Sequence, residues 1–117
     1  MRLNEISYND AVPIDGYGPG FFRVGGERHD GAIFVLPSGV DSWGGYADTA
    51  TLIAQAEAID VLFVGTGAEI AHAPAAFRTA LEDAGVGVET MASPAACRTY
   101  NVLLSEGRRV AVALLPV

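Results

Sequence analysis

The chain has no lysine; all seven of its basic residues are arginine. That removes a phosphate-loop lysine, a Schiff-base lysine and a lysine general base from any mechanism. Cysteine occurs once, at Cys97, so no disulfide can form within the chain, in keeping with a reducing compartment. The two histidines, His29 and His72, stand far apart, and the acids are spread without a ligand spacing, so no metal and no cofactor is expected. Long apolar runs are missing as well. The longest, Val110 to Val117, is far short of the ~20 residues that a membrane-spanning helix needs. Met1 to Asp10 carries neither a continuous apolar stretch nor a small-residue cleavage signal, so it is not read as a secretory leader and the cytoplasm is the expected location.

What is present is acidic and apolar. Fourteen acids against seven bases give a net charge of −7, which on average repels nucleic acid and anionic membrane and argues against both as partners. Half of the residues are hydrophobic, and the mean hydropathy of +0.31 leaves self-association open. A chain of 117 residues is expected to form one domain over 1–117, and a domain of that size buries roughly 65% of its unfolded surface.

The first half reads as β-rich. Phe21 to Val24 and Glu27 to Asp30 flank Gly25-Gly26, a two-residue loop suited to the positive φ angles of a hairpin. Ala32 to Leu36 is continuously apolar, as in a strand covered on both faces, and is placed centrally in the sheet. Trp43 is read as a core plug in preference to an exposed interface anchor, aromatic residues being favoured in both places. From residue 48 the pattern changes to helices alternating with short apolar strands, which implies βαβ crossovers in a partly parallel sheet. Asp48 is expected to cap a helix over Thr49 to Ala58, with Leu52, Ile53 and Ala56 on its inner face. Val61 to Val64 follows as a strand. The next helix starts near Pro74 and packs through Phe77 and Leu81; then come a strand over Val86 to Thr90, a helix from Pro94 to Glu106 capped by Ser93, and a strand over Arg109 to Leu115.

Two segments hold the site-like residues. Gly65-Thr66-Gly67 ends a strand like the opening of a dinucleotide fingerprint, but Ile70 stands where the third glycine belongs. The motif fails, leaving a plain turn or a loop that touches a ligand at the sheet edge. At the start of the last helix, Arg98 and Asn101 offer directed donors beside free N–H groups, and either clamp an anion or satisfy local backbone. Cys97 lies on the border of apolar and polar stripes. It is either an activated thiol near a helix start or a buried, inert one; a nucleophile would need a base, and of the two histidines His72, before the Pro74 helix, is the better placed. The candidate binding set is therefore Gly65, Thr66, Gly67, Cys97, Arg98 and Asn101, expected to meet around one pocket, with no catalytic set defined.

Three segments, Ile14-Asp-Gly-Tyr-Gly-Pro-Gly-Phe-Phe-Arg-Val-Gly-Gly, Leu62-Phe-Val-Gly-Thr-Gly and Ala96-Cys-Arg-Thr-Tyr-Asn-Val-Leu-Leu-Ser-Glu-Gly-Arg-Arg-Val-Ala, carry a resemblance in combination and order. The chain resembles the uncharacterised domain family, first defined structurally in a methanogen protein, that includes mitochondrial NADH dehydrogenase (complex I) assembly factor three and the adipogenesis-associated domain protein. The resemblance implies a three-layer α/β domain with a mixed central sheet and a small N-terminal β-hairpin layer. It also implies protein partners, in respiratory-complex assembly or membrane-protein biogenesis, and does not supply an enzyme activity. It supplies no catalytic residues.

Overall fold

The computed structural model describes residues 12–117; the reading of Met1 to Asp10 lies outside the described residues. Strands β1 (Ile14–Gly18), β2 (Phe21–Val24) and β3 (Glu27–Asp30) form an antiparallel sheet in that order. The expected hairpin is there, with Val24 opposite Glu27 and Gly25 and Gly26 at φ 60° and 82°. A type I′ turn needs positive φ at both positions, which only glycine adopts without strain. The layer has three strands where the sequence suggested two. Strand β1, Ile14-Asp-Gly-Tyr-Gly18, holds too little apolar alternation to announce itself, and a bulge between Ile14 and Gly16 breaks its period further.

The second sheet contains β4 (Ile33–Leu36), β5 (Gly39–Ser42), β6 (Val61–Thr66), β7 (Gly87–Met91) and β8 (Val110–Leu115), in the order β5-β4-β8-β6-β7. β6 runs parallel to β7 and β8, while β4 is antiparallel to β5 and β8, so the sheet is mixed as expected. β8, not β4, takes the middle place. A run of buried residues reports cover on both faces, which β4 has, but it does not report lateral position.

Helices α1 (Ala50–Ala54), α2 (Ala75–Asp83) and α3 (Ser93–Ser105) complete the fold. Pleating divides the sheet cleanly. Phe34, Leu36, Leu62, Val64, Ala111 and Ala113 meet Leu52, Trp43, Phe77 and Leu81 on the α1–α2 side. Ile33, Val35, Phe63, Val110, Val112 and Leu114 meet Ala96, Cys97 and Tyr100 of α3, together with Ile14, Phe22 and Val24 of the small sheet, on the other. Three layers result, with α3 and the small sheet sharing one of them.

Two local expectations fail for related reasons. α1 ends at Ala54 and gives way to a 3₁₀ turn over Ala56–Ala58, and Thr49, not Asp48, precedes it. The Asp48 carboxylate accepts instead from the Gly44 N–H at 2.9 Å, while Trp43 Nε1–H donates to the Asp48 carbonyl at 3.1 Å. A local side-chain-to-backbone bond has displaced the cap. Ile53 turns outward, 38% exposed, and only Leu52 of this helix reaches the core. Trp43 is the plug the sequence suggested, edge-on to Tyr46 at 5.5 Å and tilted on Phe77 at 6.0 Å.

Candidate functional site

The end of β6 and the start of α3 do meet, in direct contact. At Gly65 a β-carbon would fall 2.6 Å from Ser93 Oγ, 2.7 Å from Leu114 Cδ2 and 2.8 Å from Ser93 Cα. Contacts under about 3 Å leave no space for a methyl group, so this glycine lets the helix cross the strand. Ser93 is the first residue of α3 rather than its cap, Ala92 holding that place. Its fully buried hydroxyl donates to the Leu115 carbonyl at 2.6 Å and accepts from the Gly67 N–H at 2.9 Å. The Ser93 N–H donates to the Gly67 carbonyl at 2.7 Å, so one serine engages both backbone groups of Gly67 and joins β6, α3 and β8.

Thr66 organises the loop that follows. Its Oγ1–H donates to the Glu69 carbonyl at 2.6 Å, with the Met91 carbonyl at 3.2 Å, and the same oxygen accepts from the Ala71 N–H at 3.0 Å. The polar groups around Gly65, Thr66 and Gly67 are thus bonded within the chain.

Cys97, Arg98 and Asn101 lie elsewhere, on the face of α3 turned toward β1. Pro94, Cys97, Arg98, Asn101 and Val102 follow helical spacing and form one wall of an open groove of about 290 Å³; Ile14, Asp15, Gly16 and Tyr17 form the other. Asn101 is a strand surrogate: its Oδ1 accepts from the Ile14 N–H at 2.8 Å and its Nδ2 donates to the Ile14 carbonyl at 2.9 Å. At the preceding residue, the buried Tyr100 hydroxyl donates to the Val12 carbonyl at 2.9 Å, and burial raises its pKa above the ordinary value. These bonds dock β1 on α3.

Burial pushes the Cys97 thiol up to about 11, outweighing a hydrogen bond from its own backbone and the charge of Arg98, both of which pull it down. At neutral pH it is a thiol, not a thiolate, and a poor nucleophile. Neither His29 nor His72 lines the groove, and among the described residues no three histidines, cysteines or acids cluster to hold a metal. Arg98 is exposed on the rim, and among the described residues it has no ion-pair partner.

The structure therefore divides the expected pocket. Gly65, Thr66 and Gly67 join Ser93 in a filled contact, and Cys97, Arg98 and Asn101 line a separate groove. Local sequence shows Ser93 only as a cap, because its partners are backbone groups 22 and 26 positions away. The signal for the groove was the Pro94, Cys97/Arg98, Asn101/Val102 spacing, which cannot name its opposite wall.

With this geometry in view, the comparisons with known proteins agree on one relationship. The family described as protein of unknown function (DUF498/DUF598) matches residues 14–115. An uncharacterized protein of Rhodobacter capsulatus is 48% identical over 100% of this chain and 94% of its own length. NADH dehydrogenase [ubiquinone] 1 alpha subcomplex assembly factor 3 of Rattus norvegicus is 32% identical over 99% of this chain, which spans 66% of that protein. Among solved structures, one described as an outer membrane protein from Bartonella henselae superposes with a TM-score of 0.84 at 36% identity, covering 92% of this chain and 97% of its own.

Proposed function

The chain belongs to the DUF498/DUF598 family of proteins of unknown function, and from that premise we propose that it is a non-enzymatic interaction factor that assists assembly of an NADH dehydrogenase-type respiratory complex. The observation that carries this reading is the 32% identity to an NADH dehydrogenase assembly factor across 99% of the chain. The site chemistry supports it. The Cys97 thiol is held neutral, Asn101 is engaged at both ends of its amide, and Ser93 and Thr66 serve backbone groups. A second reading, a small-anion site, keeps only Arg98 of its expected set as a side-chain donor without a partner among the described residues.

Deletion of the gene in the native host, followed by native gels stained for NADH dehydrogenase activity, tests the proposal. The expected result is less assembled complex and more subassemblies, both corrected by the wild-type gene. Normal amounts and normal assembly rate in the deletion strain refute it. The reading also puts the protein in the cytoplasm. Among the described residues no helix is long and apolar enough to cross a membrane, a statement that does not bear on β-barrels. Fractionation with the outer membrane would overturn the cytoplasmic assignment.

A further inference from the structure

We infer that the loop from Gly67 to Ala73 is a preorganised docking element whose anchor is Ile70, and that its partner is a protein offering an apolar pocket rimmed by basic side chains. The inference rests on the interaction-factor reading above and names the surface it would use. Ile70 is 69% exposed, the most exposed of the large apolar side chains on the described surface. Its neighbours Ala68 and Ala71 are exposed too, so the loop shows solvent an apolar tip where turns usually carry polar residues.

The loop is also built to hold that shape. Thr66 Oγ1 bonds the Glu69 carbonyl and the Ala71 N–H, bracketing Ile70 on both sides, and Ser93 fixes Gly67 at the root through both of its backbone groups. A side chain presented on a fixed loop loses less conformational freedom on binding, which is how a small apolar anchor reaches useful affinity. The position fits as well, since open α/β sheets tend to place recognition loops at the carboxyl ends of parallel strands, where β6 ends. Glu69 stands exposed beside Ile70 on a chain of net charge −7, so a basic rim on the partner matches both the local and the overall field.

The test places a photo-cross-linking amino acid at position 70 in the native host, with the same group at the exposed Arg108 position, at the opposite end of the sheet, as control. The expected result is a protein adduct from position 70 that position 108 does not give. The purified adduct partner should then bind Ile70→Ser about tenfold more weakly or worse, and Thr66→Val a few-fold more weakly although Ile70 is intact. Ile70→Leu should bind nearly as wild type, and Glu69→Gln should flatten the salt dependence. Ile70→Ser should leave thermal stability unchanged, which separates recognition from folding. No adduct beyond the control, or a partner that binds Ile70→Ser as tightly as wild type, overturns the proposal. The assembly reading fails separately. A deletion strain with normal NADH dehydrogenase removes that reading whatever the adduct is, while full rescue of an impaired strain by Ile70→Ser removes the docking loop and leaves the assembly role.

Discussion

Replacing Gly65 with alanine tests whether this segment is a packing joint or an open ligand loop, because the two readings differ in sign. Gly65 lies in β6 outside the left-handed region, so its backbone tolerates any residue. On an unobstructed strand, Gly→Ala would stabilise by roughly 0.5–1 kcal/mol through lower unfolded-state entropy. Here the new β-carbon meets Ser93 Oγ, Leu114 Cδ2 and the Ser93 backbone, all within 2.8 Å. Leucine can rotate away, but Ser93 Cα moves only if the start of α3 moves. Overpacking of this kind costs about 1–3 kcal/mol. Displacing Ser93 weakens its hydroxyl bonds to Gly67 and Leu115, each worth about 1 kcal/mol. The expected loss is about 2–4 kcal/mol, a fall in Tm of about 10 °C, read by urea denaturation with an unchanged m-value. Ser93→Ala removes one of the clashing atoms, so the double variant should be less destabilised than the two single effects combined. Unchanged or increased stability of Gly65→Ala would refute the joint and return the loop to the ligand reading.

Asn101→Ala should cost about 2–3 kcal/mol by orphaning the half-buried Ile14 N–H and carbonyl together, and hydrogen exchange should show protection lost along β1 before the main sheet. Cys97 should resist alkylation at pH 7.5 in the folded protein and react promptly in denaturant. Because its folded pKa is raised, the thiol favours the folded state at neutral pH and opposes it as pH climbs past the unfolded value toward about 11; rapid native labelling at pH 7.5 would contradict the burial. Asp60 has its carboxyl held below the usual range by its hydrogen bond to Arg109, so what it contributes is present above the unfolded pKa and lost as pH falls through the folded one. Asp60→Asn should shallow the acid limb of the stability curve, and an unaltered limb would show the exposed pair to be inert.

Most of the second half was legible because each element has a local signature. Phe77 and Leu81 keep helical spacing, Gly85 and Gly107 follow their helices, and β6 and β8 are apolar runs of strand length. β1 and β5 were missed for the same reason in reverse: with Gly, Asp, Tyr and Ser in short strands, their pairing is decided by the neighbours they join. Asp48 shows how a sound local rule loses to another local bond once Trp43 is fixed in the core.

The sequence by itself determined the class of fold, the two-glycine hairpin, the family and the exclusions that follow from absent lysine and a single cysteine. These depend on residue type and short-range period, which the chain carries whether folded or not. Tertiary structure alone decided that β8 runs through the middle of the sheet, that Ser93 fills the contact with Gly65 and Gly67, and that Asn101 faces β1. Those facts follow from which distant segments come to lie within hydrogen-bond reach. A glycine kept for close approach and a glycine kept for a ligand look the same until the atom opposite it is known.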